Sequence, residues 1–329
     1  MPRRLDLTLP APDDVQRLID DVAPGAAATP LDGFMNRNIR LRGGAGQSGD
    51  QVLRIYQRYI SRARLMAIQQ VRRHVAHAGL RAAVAVEWHG SSVLRCGLSY
   101  AELEPFLPHR RPEPSWESYS WLFGAMADLH RALADLALPV PRPQLSFSAT
   151  PSTLQRAAAR TRAAVQDDVE ALSIVDRLDH QLVQLARGWV SSADLVTQII
   201  HGDINPENIG RISDGAPVYL DFGFTARRPR IYDLAFTFIH AVLQNDKGPL
   251  APRDVSWHRV LELIDQYQRT AGPLSTPERR ALPLYAAAVR LLFAATSYFS
   301  PEPGNSLRQQ RPSLDLASWL LDNPEALGG

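Results

Sequence analysis

The chain has 329 residues, of which 45% are apolar and 21% charged, and at about 150 residues per domain this length predicts two lobes. The formal charge of +2 is too even to indicate a nucleic-acid partner, so we expect none. The lone cysteine, Cys96, excludes a disulfide framework and a cysteine-based zinc site, which favours a reducing, cytoplasmic location.

The amino-terminal third has the pattern of a small antiparallel sheet with helices beside it. No apolar signal core precedes the first helix, so we expect no secretion signal. Two alternating runs flank a glycine-rich turn and predict a hairpin with a long tip. The predicted elements are, in order, a helix at 12–22, the hairpin strands at 37–42 and 51–56, a helix at 63–78, strands at 82–88 and 92–98 joined at His89-Gly90, and an extended segment at 100–107.

A proline-rich stretch at 108–114 predicts the boundary between two lobes, 1–108 and 109–329. The second lobe is mostly helical, with a short β island at 197–200 and 218–220. Its predicted helices are 116–136, 152–165, 167–187, 230–244, 256–271 and 278–297. A small sheet lobe followed by a larger helical lobe is an α+β arrangement.

The most apolar run of the chain, 282–299, begins next to a proline and is interrupted by Arg290. A membrane span of this length carries few or no charges, so we predict a buried helix here. We therefore expect no membrane partner.

The segment 199–235 carries three polar side chains at the ends of two predicted strands. The first strand is followed by His201-Gly202-Asp203, Asn208 lies five residues further on, and the second strand leads to Asp221. Phosphoryl transfer needs a positioned acceptor and cations on the phosphate oxygens. A carboxylate such as Asp203 can orient an acceptor hydroxyl and take its proton. The oxygens of Asn208 and Asp221 are hard ligands that suit Mg²⁺.

This segment resembles the aminoglycoside phosphotransferase/choline kinase family, whose members are relatives of the protein kinases. His201-Gly202-Asp203 with Asn208 matches the family's H-G-D-x-x-x-x-N loop, Asp221-Phe222-Gly223 its metal-binding motif, and Tyr232-Asp233-Leu234-Ala235 the start of its next helix. The resemblance implies a bilobal, protein-kinase-like α+β fold that binds ATP, with GTP not excluded, and Mg²⁺. It implies Asp203 as catalytic base, Asn208 and Asp221 as magnesium ligands, and His201 and Asp233 as supports of the loop.

The amino-terminal half carries a looser resemblance. The run DGFMNRN before the hairpin looks like the nucleotide loop of bacterial choline kinase-like proteins, although the second glycine and the hydroxyl of that motif are absent. The likeness places Gly33, Asn36 and Asn38 at the nucleotide, where backbone N–H groups would cover the phosphates. The extended segment is the expected hinge, in which residues from Glu104 to Phe106 offer backbone groups to the adenine.

Arg54 stands where protein kinases have a lysine, and the resemblance implies that it contacts the nucleotide phosphates. The following helix should supply a glutamate partner, but no carboxylate occurs between Asp50 and Glu87. Gln69 or Gln70 holds the position instead, and an amide lacks the charge assistance of an ion pair. We therefore expect Arg54 to be oriented by packing or by the phosphates themselves.

Basic side chains are concentrated in the segment 54–81. One interpretation is a dock for an acidic peptide or protein. The other is a solvated helix face whose long side chains cover apolar surface. The members are Arg54, Arg58, Arg62, Arg64, Arg72, Arg73, Arg81, His74 and His77.

The favoured function is transfer of the γ-phosphate of ATP to a hydroxyl of a small molecule, such as an antibiotic, an amino alcohol or a biosynthetic intermediate. One alternative is a Ser/Thr kinase acting on a peptide in a natural-product pathway, and another is a nucleotide-binding pseudokinase scaffold. Only eight residues separate Gly223 from Tyr232, too few for the activation segment that protein kinases use as a peptide platform. The intact trio of Asp203, Asn208 and Asp221 argues against a pseudokinase.

Overall fold

The computed structural model divides the chain into two compact units, each built from several segments. The residues that it describes are 9–31, 35–44, 49–144, 150–245 and 251–327. The first unit comprises Met1–Arg111, Ala137–Leu145 and Ile209–Ala226, and the second comprises Pro112–Leu136, Ser146–Asn208 and Arg227–Gly329. Asp221 therefore belongs to the first unit, whereas Asp203 and Asn208 belong to the second.

The first unit is built on a five-stranded antiparallel sheet with the strand order β1-β2-β3-β6-β5. The strands are β1 (Ala27–Leu31), β2 (Arg37–Arg42), β3 (Gln51–Ile55), β5 (Leu94–Cys96) and β6 (Ser99–Pro105). Helix α1 (Pro12–Val22) buries Val15, Leu18, Ile19 and Val22 at helical spacing against the same core as Leu41 and Leu53.

Helix α2 (Arg62–His77) begins at Ser61, whose hydroxyl accepts a hydrogen bond from the Arg64 N–H and so satisfies one free donor of the first turn. Its buried face mixes apolar residues with Arg64, Gln69 and Arg72. A helix face that buries charged side chains must pair them, which makes α2 a candidate carrier of functional groups.

The strands predicted at 82–88 and 92–98 do not pair as a hairpin, and part of the first belongs to a second, three-stranded sheet. The first predicted strand shrinks to β4 (Arg81–Ala82), which pairs in parallel with β9 (Pro217–Tyr219), itself paired with β8 (Ile209–Arg211). The predicted turn at His89-Gly90 is present, with φ of +47° and +75°, but around it only single bridges form. The stretch fails to make a hairpin because its β-forming residues are divided between two sheets.

The second unit is helical, and all six helices predicted for it are present within three residues of their predicted bounds. They are α3 (Trp116–Leu133), α4 (Pro151–Ala164), α5 (Val169–Gly188), α6 (Ile231–Asn245), α7 (Trp257–Ala271) and α8 (Thr276–Ala295). Two further helices, α9 (Pro303–Gln309) and α10 (Arg311–Asp322), were not predicted. Strand β7 (Thr197–Ile200) pairs with β10 (Ala226–Pro229). Among the described residues one helical stretch, Thr276–Phe299, is long and apolar enough to cross a membrane, and 78% of its window is buried inside the protein.

Candidate active site

A single buried carboxylate organises the loop that follows β7. Asp233, in the first turn of α6, accepts hydrogen bonds from the backbone N–H groups of His201 (3.1 Å) and Gly202 (2.9 Å). Gly202 has a φ of +86°, which glycine adopts without the strain that a side chain would bring. The loop is therefore fixed through its backbone at the two residues directly before Asp203.

The Asp203 carboxylate is held by two asparagine amides. Asn205 donates from Nδ2 to its Oδ1 at 2.9 Å, and Asn208 donates from Nδ2 to its Oδ2 at 2.8 Å and to its backbone carbonyl at 2.9 Å. The Asn205 oxygen in turn accepts from the N–H groups of Glu207 and Asn208, which closes the turn. Asp203 is half-buried and oriented, as a general base must be.

Sequence reasoning missed two further groups around Asp233. His130 of α3 lies with Nε2 at 3.1 Å from the Asp233 carboxylate and with Nδ1 at 2.9 Å from the hydroxyl of Tyr267 on α7. A neutral ring that donates from Nε2 can accept from Tyr267 through Nδ1. Three helices are thus joined beneath the loop, so His130 supports the site, which its apolar sequence context did not reveal.

Asp221 occupies a backbone conformation that few non-glycine residues adopt. Its φ of 44° and ψ of 69° are left-handed, and its Oδ1 accepts from the N–H of Gly223 at 3.1 Å. Aspartate and asparagine tolerate this region best because their short side chains bond locally. Strain of this kind is found at functional sites, and here it fixes a carboxylate just before a short 3₁₀ turn, Phe222–Phe224.

Arg54 has a charged partner, which corrects the expectation drawn from the missing glutamate. Its Nη2 donates to Oε1 of Glu104 at 2.9 Å, and its Nη1 lies 3.6 Å from Oδ2 of Asp221. The Glu104 carboxylate comes from β6, which pairs with the strand of Arg54, β3, and it does not come from α2. Gln69 does not contact Arg54, because it donates to the Ser92 carbonyl and to Glu102 instead.

Helix α2 contributes a buried arginine, Arg72, to the pairing of these charges, although the resemblance implied a glutamate on this helix. Arg72 donates to Glu102 and to Glu104, so that Glu104 receives Arg54 on one oxygen and Arg72 on the other. Glu102 also accepts from the Tyr56 hydroxyl at 2.5 Å. Two arginines and two glutamates, each less than a tenth exposed, thus form a closed network that we call the four-charge cluster.

The four-charge cluster shifts the pKa of Glu104 and the pKa of each of its two arginines. Burial alone would raise the pKa of Glu104, but Arg54 and Arg72 outweigh it and hold the pKa below its usual range. Burial alone would lower the pKa of Arg54, and the carboxylates of Glu104 and Asp221 raise it instead. Glu104 and Arg54 therefore stay charged at neutral pH, and Arg54 is held between Glu104 and Asp221.

The other predicted nucleotide contacts are placed as follows. Gly33 lies outside the described residues. Asn36 is buried, and Asn38 on β2 pairs in register with Arg54 on β3, which brings these two predicted contacts side by side. The Phe106 N–H already donates to the Asp50 carbonyl at 2.9 Å. The Glu104 side chain is part of the four-charge cluster, whereas the sequence predicted only that its backbone contacts the adenine. Contact of these residues with a nucleotide stays a prediction.

The basic segment 54–81 is not one surface, and the two interpretations offered for it stay predictions only for its exposed members, such as Arg62, Arg73 and Arg81. Arg54, Arg64 and Arg72 are buried, so they form neither a dock nor a solvated face. Arg64 donates to the backbone carbonyls of Gly223 (2.6 Å) and Thr225 (3.1 Å), beside Asp221. These three arginines form hydrogen bonds and ion pairs inside the first unit.

The residues that the resemblance assigns to Mg²⁺ have suitable chemistry. Because the Asn208 nitrogen is committed to Asp203, its amide oxygen is the atom that can ligate a cation, and Asp221 offers Oδ2. In the described parts of the chain no group of three or more histidine, cysteine, aspartate or glutamate side chains is placed to hold a metal by itself. Mg²⁺ is typically bound by one or two protein ligands together with substrate phosphates, and the oxygens of Asn208 and Asp221 are each of the type that it prefers.

Comparison with known proteins gives one family for most of the chain. A family model described as "Phosphotransferase enzyme family" matches residues 27–281. A homoserine kinase of Granulibacter bethesdensis is 27% identical over 287 residues, which cover 85% of this chain and 84% of that protein. A homoserine kinase of Rhodospirillum rubrum is 26% identical, with coverage of 85% and 83%.

Solved structures share the fold at low sequence identity. A microcompartment-associated aminopropanol kinase superposes with a TM-score of 0.73 at 16% identity, covering 95% of this chain and 97% of that one. An amicoumacin kinase in complex with AMP-PNP and Ca²⁺ superposes with a TM-score of 0.67 at 13% identity, covering 92% and 93%. The kinase-like α+β fold expected from the motifs is confirmed by these likenesses.

Proposed function

Because the chain belongs to the phosphotransferase enzyme family, we propose that it transfers the γ-phosphoryl group of ATP, with Mg²⁺, to a hydroxyl group of a small molecule. The observation that carries the proposal is the Asp203 carboxylate, which two amides orient on a loop anchored by Asp233. A carboxylate fixed in this way is suited to accept a proton from an alcohol as its oxygen attacks phosphorus.

In the proposed reaction the acceptor hydroxyl donates its hydrogen bond to Asp203. The hydroxyl oxygen forms a bond to the γ-phosphorus, the proton passes to the Asp203 carboxylate, and the bond to the leaving oxygen breaks to release ADP. When bound, Mg²⁺ neutralises charge that develops on the phosphate oxygens. Asn208 and Asp221 would supply its protein ligands, and Arg54 would bind phosphate oxygens with the N–H groups that Glu104 and Asp221 leave.

The names of the similar proteins direct the choice of acceptor. The curated relatives above are homoserine kinases, and the two solved structures are named for an amino alcohol and an antibiotic. We therefore propose a small hydroxyl compound that also carries an amino group, and we place homoserine first. The chain is less than one third identical to these homoserine kinases, so the screen also includes acceptors other than homoserine.

An ATP-consumption screen tests the proposal. The purified chain is assayed with Mg²⁺ and homoserine, aminopropanol, choline, ethanolamine or an aminoglycoside, with GTP as a second donor and Asp203→Ala as the blank. We expect one acceptor class to give turnover that disappears in the blank. ATP binding by the wild type without transfer to any acceptor, or equal turnover in both proteins, would contradict the proposal.

A further inference from the structure

A cavity of about 520 Å³ opens in the helical unit, among α6, α8, α9 and α10. Its lining combines an apolar side with a polar side and includes a single formal charge, which is positive. The lining residues are Leu243, Arg290, Phe293, Gln309, Gln310, Pro312 and Ser313. We call it the Arg290 pocket.

Arg290 is a buried cation without an acidic partner among the described residues. It is only 8% exposed; its Nη2 donates to the Ser313 hydroxyl, and its Nε is buried with no partner there. Of the other buried arginines in the described part of the chain, Arg54, Arg72 and Arg230 pair with glutamates, and Arg64 donates to backbone carbonyls. Arg230, in the same unit, makes a two-point ion pair with Glu278 at 2.7 and 3.1 Å, and Arg54 pairs with Glu104. A buried charge is costly unless it is paired, so the missing partner of Arg290 is informative.

The polar side of the pocket is arranged to donate hydrogen bonds. Ser313 lies in the first turn of α10, where backbone N–H groups carry partial positive charge. Its hydroxyl donates to Oε1 of Gln310 at 2.8 Å, which leaves the Gln310 nitrogen as a donor. Burial lowers the pKa of Arg290 to about 10, so its guanidinium is still charged at neutral pH. The missing partner is therefore an anion.

We propose that the Arg290 pocket binds the carboxylate group of a small molecule whose apolar part packs against Leu243 and Phe293. One guanidinium, already bonded to Ser313, matches a monoanion better than a doubly charged phosphate. Leu243 and Phe293 both line the pocket and are 40% and 38% exposed, which provides the apolar surface that such a ligand would cover.

The pocket lies along α6 from the Asp203 loop. The Thr237 hydroxyl donates to the Ile204 carbonyl at 2.9 Å, and Leu243 follows six residues later, about 9 Å further along the helix. A carboxylate bound at Arg290 thus belongs either to the remote end of a long acceptor or to a second ligand.

Calorimetric titration with hexanoate, and with hexanol and inorganic phosphate as matched probes, tests the pocket without any need for catalysis. We expect saturable hexanoate binding by the wild type, weaker by about tenfold or more in Arg290→Gln, and no comparable binding of hexanol or phosphate. Arg280→Gln is the control, because it removes an exposed arginine from the same helix and should leave hexanoate binding unchanged. Leu243→Glu places a negative charge at the partly exposed rim and should also weaken binding, so the test stands even if Arg290→Gln does not fold.

Equal hexanoate binding by the wild type and both pocket variants, or no binding by the wild type, would overturn the proposal. The two sources of the carboxylate are separated by kinetics with an acceptor from the screen. Competition between hexanoate and the acceptor identifies the acceptor as the source, and a hexanoate effect on kcat without competition identifies a second ligand. Because the titration needs no turnover, failure of the proposed function leaves this result readable.

Discussion

Asn205 does more for Asp203 than its place in the loop suggests. It donates to the Asp203 carboxylate and also accepts two backbone N–H groups, whereas Asn208 offers its amide oxygen to a cation in addition. Asn205→Ala should therefore reduce kcat by about 10 to 100-fold, because the base loses its orientation, with Mg²⁺–ATP affinity unchanged. Steady-state kinetics and calorimetry give both values. Asn208→Ala is the matched variant and should weaken both; identical profiles for the two variants would contradict the division of roles.

The left-handed backbone of Asp221 allows its structural role to be tested apart from its proposed role as a magnesium ligand. Asp221→Asn keeps the short side chain that tolerates this conformation, so thermal stability should stay close to that of the wild type. Mg²⁺-dependent ATP binding should fall by about tenfold or more, because a neutral amide replaces the charged ligand. Titrations with and without Mg²⁺ measure this. An unchanged metal dependence in a folded variant would rule out the assignment.

Arg54 is held at two points, which a lysine cannot reproduce. Its guanidinium reaches Glu104 and Asp221 with different nitrogens, whereas an ammonium is a single point charge on a flexible stem. Arg54→Lys should lower kcat/KM for ATP by about 10 to 100-fold. Arg62→Lys, an exposed position on α2, is the control for the conservative exchange. A wild-type kcat/KM in Arg54→Lys would contradict this account.

At the scale of elements, the glutamate that pairs with Arg54 comes from the sheet, and the helix α2 supplies an arginine in place of a glutamate. In the expected arrangement α2 supplies the carboxylate, but here β6 supplies two and α2 supplies Arg72. The sequence shows the absence of acids between Asp50 and Glu87, yet it does not show which distant strand supplies the partner. That depends on the register of β3 and β6, which joins Arg54 to residues about fifty positions away.

Glu104→Gln tests this arrangement through stability. The variant removes the carboxylate that Arg54 and Arg72 share and leaves them only Asp221 and Glu102 as charged partners, so the free energy of unfolding at neutral pH should fall by about 3–5 kcal/mol. Because the folded-state pKa of Glu104 is lowered, its contribution is complete above the unfolded pKa of about 4.3 and is lost as the pH falls through the folded value. The difference between wild type and variant should therefore narrow in acid. Urea unfolding at several pH values measures it, and a difference that does not change with pH would refute the linkage.

The helices were predictable because their signals are local. The predicted bounds of α3 to α8 lie within three residues of the observed ones, because apolar periodicity is a local signal. The strand pairing of 82–98 was not predictable, because β4 pairs with β9 more than 130 residues away. Strand formation depends on partners, and a single sequence does not give the partners.

At the scale of the whole molecule, the chemistry is divided between two units of discontinuous sequence. The short strands β8 and β9 and Asp221 belong with the amino-terminal sheet, although they follow the Asp203 loop directly in the chain. The motif of the loop was readable from sequence because its spacing is fixed by local hydrogen bonds, such as those from the Asn208 amide to Asp203. The groups that support it, His130 and Tyr267, come from helices distant in sequence and could not be read in the same way.

The central claim is that Asp203 acts on the acceptor and not on the nucleotide. Single-turnover transfer of labelled γ-phosphate to the identified acceptor, by wild type and Asp203→Ala at saturating Mg²⁺–ATP, tests it most directly. We predict a rate lower by about 10² to 10⁴-fold in Asp203→Ala, with the Kd for Mg²⁺–ATP within about twofold of the wild type. A transfer rate close to that of the wild type, or a loss explained entirely by weaker ATP binding, would contradict the account.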